Sequence, residues 1–142
     1  MNIKKLFLPL MMVALLFCGC ARETGAIVST TYFTITPGEW NTNSNVGYAY
    51  VEKPFHELDE YVIQQGAVMA FYIDGDGYDN QLPYLAPYYS DSDNDGVDEL
   101  YFENIRYDLA RGCITFIIQQ SDLACLVPNQ NLRFKVCVIA NR

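Results

Sequence analysis

Apolar and polar residues alternate with a period of two over residues 46–52 and 131–140, which is the period of a β-strand with one buried face, and residues 67–73 form a continuous apolar run, which is typical of a buried strand. Segments rich in β-branched and aromatic residues recur between turn signals made of Gly, Pro, Asn and Asp. The pattern predicts seven strands, over residues 27–36, 46–52, 67–73, 81–89, 99–107, 113–119 and 131–140. Seven short antiparallel strands separated by turns predict an all-β sandwich.

Two segments depart from plain alternation. Leu58, Tyr61 and Val62 have helical spacing and Gly66 is a stop signal, which predicts a short helical turn near residues 57–64. The strand over 81–89 contains Pro83 and Pro87, and proline inside a strand predicts a position at the sheet edge because it cannot donate a ladder hydrogen bond.

The first residues form a leader rather than part of the fold. Lys4 and Lys5 precede an apolar run of 12 residues, 6–17, which is shorter than the ~20 residues that a membrane-spanning helix needs. The run ends in the letters LFCGC at 16–20, which resemble a bacterial lipobox. Cys20 is favoured over Cys18 as the lipidated residue, because cleavage before Cys20 follows the small Gly19.

This leader predicts a cleaved signal peptide over residues 1–19, a lipidated tether over 20–26 and a β-sandwich domain over 27–142. Acyl chains on Cys20 would anchor the domain to a membrane, since each buried CH₂ contributes ~0.8 kcal/mol. An ordinary secretory peptide that leaves Cys20 as a free cysteine remains the alternative.

The net negative charge of the mature chain limits the partners that it can bind. Removal of Lys4 and Lys5 leaves seven basic residues against 17 acidic ones, a net charge of −10. Between Pro54 and Ile105 the chain has 12 acidic residues and neither Lys nor Arg. Nucleic acid is therefore excluded as a partner, because its phosphates require basic surfaces.

Three cysteines remain for the domain: Cys113, Cys125 and Cys137. An extracytoplasmic location permits a disulfide, and Cys113 and Cys137 both lie on predicted strands. The other interpretation is that all three are small packing residues. Neither a CxxC pair nor a Cys/His spacing indicates a zinc site.

Several short motifs resemble a family of Bacteroidetes lipoproteins. They are Pro37-Gly38-Glu39-Trp40, the run GAVMAFY at 66–72, Leu82-Pro83-Tyr84, Ser121-Asp122, and the run LRFKV at 132–136. The resemblance covers nearly all of the mature chain. It implies an immunoglobulin-like sandwich on a lipid tether in the cell envelope, as an outer-membrane lipoprotein facing the periplasm or the exterior. It implies no activity.

An acidic loop predicts a calcium site. The run DSDNDG at 91–96 places carboxylates at alternate positions before a glycine, the arrangement by which a turning backbone aims oxygens at one Ca²⁺ ion. By analogy with dockerin-type and thrombospondin-type loops, we expect side-chain ligands from Asp91, Asp93, Asp95 and Glu99 and a carbonyl ligand from Val97. An EF-hand is excluded, because its twelfth position is Phe102 here. The expected dissociation constant is about 10⁻⁴ to 10⁻³ M.

The alternative for this loop is a solvated hairpin, since Asp, Asn, Ser and Gly form turns without metal. A second acidic segment, DGDGYDN at 74–80, has fewer alternate carboxylates, and its Asp-Gly pairs predict a plain hairpin turn.

No catalytic motif accompanies these features. His56 is the only histidine and has no catalytic pattern around it, which predicts a surface or capping role. The 11 tyrosines indicate either packing on pleated strands or stacking on sugar rings, for which Tyr84, Tyr88, Tyr89 and Tyr101 are the candidates. We therefore expect a non-enzymatic, lipid-anchored module that binds a protein or glycan partner and is stabilised by calcium. A carbohydrate-binding lipoprotein and a carboxylate hydrolase are the alternatives.

Overall fold

The computed structural model of the protein describes residues 26–90, 96–123 and 125–141. In this part of the chain the backbone forms nine strands, one short α-helix and a 3₁₀ turn at Pro37–Glu39. The strands and the helix are β1 (Ala26–Ile35), β2 (Asn41–Asn43), β3 (Tyr48–Pro54), α1 (Glu60–Gln65), β4 (Ala67–Ile73), β5 (Asp79–Gln81), β6 (Tyr84–Ser90), β7 (Glu99–Ala110), β8 (Cys113–Gln120) and β9 (Leu132–Asn141).

The strands form two antiparallel sheets, which confirms the predicted all-β sandwich. One sheet has the order β1-β9-β4-β5 and the other the order β2-β3-β8-β7-β6. All seven predicted strands are present, and the two additional strands, β2 and β5, have three residues each. The likeness to an immunoglobulin domain lies in the sandwich architecture rather than in strand order. Immunoglobulin domains place their last two strands in one sheet, whereas β8 and β9 lie in different sheets.

Alternation along the central strands builds the core. In β9, Leu132, Phe134, Val136, Val138 and Ala140 are buried between the sheets, while the intervening residues face outward. The rings of Phe116 and Phe134, one from each sheet, stack with centroids 4.2 Å apart and join the two layers. This agrees with the prediction of a half-buried last strand with a solvated outer face.

The helix packs at one end of the sandwich. Asp59 caps α1, because its carboxylate accepts a hydrogen bond from the Val62 amide at 2.8 Å. Val62 is buried and Gly66 ends the helix, as the sequence predicts, although α1 begins three residues later than the predicted turn.

The two ends of the sandwich carry different features. We call the end with the start of β1, the end of β9 and α1 the lower end, where Ala26 pairs with Asn141. The turn at Gly112 belongs to it, because the Gly112 amide donates to the Leu58 carbonyl at 2.8 Å. Strand β8 runs from this turn to Gln120, so the end of β6 and the start of β7 lie at the opposite, upper end.

Candidate functional site

Most of the predicted calcium ligands, Asp91, Asp93 and Asp95, lie outside the described residues, as does Cys20. Val97 and Glu99 are described and exposed, and the Glu99 carboxylate accepts a hydrogen bond from the Tyr101 hydroxyl. Within the described ranges, no three His, Cys, Asp or Glu side chains are grouped to hold a metal ion. The calcium site stays a prediction.

The second acidic segment forms the plain turn that the sequence predicts. The Asp74 carboxylate accepts hydrogen bonds from the Tyr78 amide at 2.8 Å, the Asp76 amide at 3.1 Å and the Asn80 side chain at 3.0 Å. These donors, Asn80 first, lower the pKa of Asp74. The carboxylate therefore holds the β4–β5 connection together.

The structure brings two of the four candidate tyrosines together. Tyr88 on β6 is paired directly with Tyr101 on β7, and their rings stack with centroids 5.6 Å apart at 26°. Tyr84 lies on the same face of the sheet as Tyr88, but it packs beside the core, where its ring centroid is 6.2 Å from that of Tyr72. Tyr89 lies on the opposite face of the sheet and is 70% exposed.

A pocket of about 350 Å³ opens beside this tyrosine pair at the upper end. We call it the Tyr88 pocket. Residues from β6, β7, the end of β8 and the β8–β9 connection line it: Ala86, Tyr88, Glu103, Gln120, Leu126, Val127, Pro128 and Asn129. Its volume falls at the small end of the range of about 300–1,000 Å³ that is usual for ligand sites.

Gln120 holds one wall of the Tyr88 pocket in place. Its side chain is only 5% exposed, and its oxygen accepts a hydrogen bond from the Leu126 amide at 3.0 Å. Its nitrogen donates to Glu103 at 3.2 Å and to the Leu126 carbonyl at 3.5 Å. Because both halves of the buried amide have partners, the β8–β9 connection is held against β8 at Leu126.

The same connection has an unusual backbone. Leu123 and Cys125 have φ angles of 59° and 56°, the left-handed region that costs a non-glycine residue roughly 1–2 kcal/mol. The Cys125 thiol donates to the Tyr48 carbonyl at 3.1 Å, which ties this strained stretch to β3. Such strain persists only where surrounding contacts impose it, and it is concentrated at functional sites.

Glu103 makes the Tyr88 pocket acidic. It points inward from β7, and burial raises its pKa, although the hydrogen bond from Gln120 opposes that shift. Burial also raises the pKa of Tyr88, with smaller contributions from the negative charges of Asp122 and Glu103. Among the residues that the structure describes, neither Lys nor Arg lines the pocket.

Sequence reasoning missed Glu103 and Gln120. The available signal was the alternation in β8, where Ile114, Phe116 and Ile118 face inward and Gln120 takes the next inward position. A glutamine at the next inward position, one residue past the predicted strand at 113–119, indicates a buried hydrogen-bonding role.

A second pocket, of about 420 Å³, lies at the lower end between α1 and the four-stranded sheet. Val62, Val138 and Ala140 form its apolar part, and Ser29, His56, Glu57 and Asp59 its polar part. His56 is exposed there, in line with the predicted surface role, and Asp59 is engaged in capping α1.

The three cysteines of the domain are free thiols in separate places. Cys113 on β8 and Cys137 on β9 each take an outward position on their own sheet, so the two thiols face opposite sides of the sandwich and the proposed bridge between them does not form. The Cys137 sulfur lies 3.6 Å from the Thr30 hydroxyl on the neighbouring strand. The interpretation as small packing residues therefore fits the structure.

Comparison of the chain with protein-family models, with curated proteins and with solved structures finds no match. The resemblance to Bacteroidetes lipoproteins stays a prediction. No helix within residues 26–90, 96–123 and 125–141 has the length and apolar character to cross a membrane. The fold and site define an antiparallel β-sandwich with a preformed pocket at its upper end.

Proposed function

We propose that this chain is a lipid-anchored, extracytoplasmic β-sandwich module that binds a ligand or partner at its upper end and does not catalyse a reaction. The observation that carries the proposal is the Tyr88 pocket, whose wall is fixed by the buried amide of Gln120. Loops positioned on a rigid scaffold are the usual location of binding sites. The anchor rests on the leader and on Cys20.

The lining of the Tyr88 pocket favours binding over hydrolysis. Among the described residues one carboxylate, from Glu103, lines it, whereas glycoside hydrolysis uses two facing carboxyl groups. His56 lies at the lower end, on the other side of the core from Glu103. A base and a nucleophile within hydrogen-bond reach of each other, the usual basis of covalent catalysis, are therefore not supplied by these residues.

Calcium in the acidic loop would act as a stabiliser close to this site. Glu99, the predicted ligand at position nine, is hydrogen-bonded to Tyr101, and Tyr101 stacks on Tyr88. A filled loop would thus hold the start of β7 against the Tyr88 pocket.

The test has two parts that fail independently. Detergent-phase partitioning and fractionation of cells should place the wild-type protein in the membrane fraction and Cys20→Ala in the soluble fraction; an unchanged distribution would remove the anchor.

Cells or vesicles carrying the full chain should then bind a surface-immobilised ligand panel of glycans and peptides. Loss of that binding in Tyr88→Ala, with retention in Tyr89→Ala, is expected, whereas equal binding by both variants would remove the upper-end site.

A further inference from the structure

We infer that the Tyr88 pocket takes a neutral sugar ring, held by one aromatic side chain and by polar groups from three segments of the chain. The inference rests on the proposed function, since it names the ligand class of the same pocket. It differs from the four-tyrosine surface expected from the sequence. Tyr88 is the tyrosine that lines the site, and Glu103, Gln120 and Asn129 join it.

The aromatic part of the pocket is held in place before any ligand arrives. Tyr88 is half-buried on β6, and Tyr101 stacks against it from β7. Fixing a ring in advance reduces the entropy that binding must otherwise remove. The electron-rich face of a phenol attracts the weakly positive C–H groups on the flat face of a sugar ring.

The polar part of the pocket suits hydroxyl groups. The Glu103 carboxyl supplies acceptor oxygens, the Tyr88 hydroxyl can donate or accept, and the exposed amide of Asn129 can do both. Gln120 fixes Glu103 by donating to one of its oxygens. A sugar hydroxyl is itself both donor and acceptor, so it matches such a mixed set better than an ion of one sign does.

The apolar part of the pocket favours a sugar ring over a fully polar solute. Ala86, Leu126, Val127 and Pro128 line the same space, so part of any ligand is buried against carbon. A sugar ring has apolar C–H faces and a polar rim. The volume of about 350 Å³ suits one ring, with further rings extending into solvent.

Charge then selects among sugars. Glu103 lines the pocket, Asp122 lies close enough to raise the pKa of Tyr88, and the described part of the chain contributes no basic side chain to the lining. An anionic sugar would meet repulsion without a compensating cation. Neutral sugars are favoured over amino sugars because Glu103 is the one carboxylate among the described lining residues, and one of its oxygens already accepts a hydrogen bond from Gln120.

Nuclear magnetic resonance on the full chain, in a detergent without a sugar head group, tests the inference. The probes are methyl glycosides of neutral hexoses and N-acetylhexosamines, with glucuronic acid and glucosamine as the matched anion and cation. Neutral probes at millimolar concentration should shift the amide signals of Tyr88, Gln120 and Leu126 and leave Val138 at the lower end unchanged.

Variants make the result specific. Tyr88→Leu, which keeps an apolar side chain, should weaken binding by about tenfold or more, and the neighbouring control Tyr89→Ala should leave it unchanged. Absence of localised shifts with every neutral probe would overturn the inference, as would equal shifts in Tyr88→Leu. Stronger binding of glucosamine would also overturn it, while leaving the proposed binding function intact.

Discussion

Glu103 lines the proposed binding site, and its burial there lowers the stability of the folded chain as the pH rises. Its carboxyl is half-buried between the sheets, where burial raises its pKa. A raised pKa means that the folded chain binds a proton more tightly than the unfolded chain. The stability linked to this group is therefore complete below the ordinary pKa of 4.5 and declines as the pH rises through the higher folded value. Above pH 4.5 the burial of this group therefore opposes folding, and a ligand that donates a hydrogen bond to it would offset that cost.

Glu103→Gln should therefore raise the melting temperature at pH 7 and change it much less at pH 4, where the carboxyl is mostly protonated in both states. Thermal unfolding followed by circular dichroism measures this. Glu52→Gln, at an exposed position of β3, is the matched control and should show no such dependence. A lower melting temperature for Glu103→Gln at pH 7 would contradict the assignment of burial as the main effect.

Glu39 behaves in the opposite way. Its carboxylate contacts Lys53 and accepts hydrogen bonds from the Thr36 amide at 2.7 Å and the Thr36 hydroxyl at 2.9 Å. These contacts, Lys53 first, lower its pKa from 4.5 to about 2. Its contribution to stability is thus present above pH 4.5 and is lost as the pH falls toward about 2.

We expect Lys53→Met to flatten the decline in stability between pH 5 and pH 2.5, because it removes the largest cause of the lowered pKa. The readout is the urea midpoint at a series of pH values. Lys135→Met, which removes a cation paired with Asp79 in the other sheet, is the control for loss of a positive charge. If both variants follow the wild-type slope, the Glu39 contacts do not form in solution.

At the scale of elements, the turn between β2 and β3 supports the wall of the Tyr88 pocket. Gly47 in this turn has a φ of +71°, and a Cβ atom added there would lie 2.6 Å from the Leu123 Cβ atom. Close packing of the two segments thus requires glycine. The contact links the β2–β3 turn to the strained connection that precedes the pocket lining.

Gly47→Ala should destabilise the domain by about 1–3 kcal/mol, through backbone strain and the contact with Leu123, and should also shift the amide signal of Leu126. The control Gly112→Ala introduces backbone strain without a close contact. Gly112 has a similar φ of +73° but nothing within 4 Å of an added Cβ atom. Equal losses of stability in chemical denaturation would show that the Leu123 contact is unimportant.

The elements also show how far sequence reasoning extends. The continuous apolar run at 67–73 predicted the strand that became β4 with its exact bounds. Alternation predicted β9 with one buried face, because a period of two shows which side chains meet the core. It placed the second strand two residues early, since Val46 continues the apolar pattern while Gly47 forms the turn. The three-residue strands β2 and β5 are too short to carry a period.

The site was harder to predict than the strands. The pocket lining comes from positions near 86, 103, 120 and 127, which strand pairing brings together. Periodicity gives the face of each residue but not which strands are neighbours. Tyr88 and Tyr101 were recognised by type, whereas their pairing depends on the register of β6 and β7.

At the scale of the whole molecule, the proposed anchor and the proposed binding site lie at opposite ends. The tether would enter at Ala26 at the lower end, and the Tyr88 pocket lies at the upper end beyond β8. The eight residues of β8 span about 26 Å at ~3.3 Å per residue. The pocket would therefore face away from the membrane.

The acidic loop gives a further prediction. Calcium at millimolar concentration should raise stability by about 1–2 kcal/mol if its dissociation constant is about 10⁻⁴ M, and chelation should reverse the effect. Asp93→Asn should reduce the gain in melting temperature, and Asp76→Asn, in the plain turn after β4, should not. The same melting temperature with and without calcium would remove the ion from the proposed function.

The pairing of β1 with β9 has a mechanical consequence. β1 lies at the edge of its sheet and is joined to β9 by ten antiparallel residue pairs. If the lipid holds the chain at Ala26 while a captured ligand pulls on the upper end, the tension runs along β1. The ladder hydrogen bonds, which lie across the strand, then break together in shear rather than one after another. Single-molecule pulling between these two points should give a high rupture force, lowered by Thr31→Pro in β1. The position of β1 would thus let the domain stay folded while a bound ligand pulls on it.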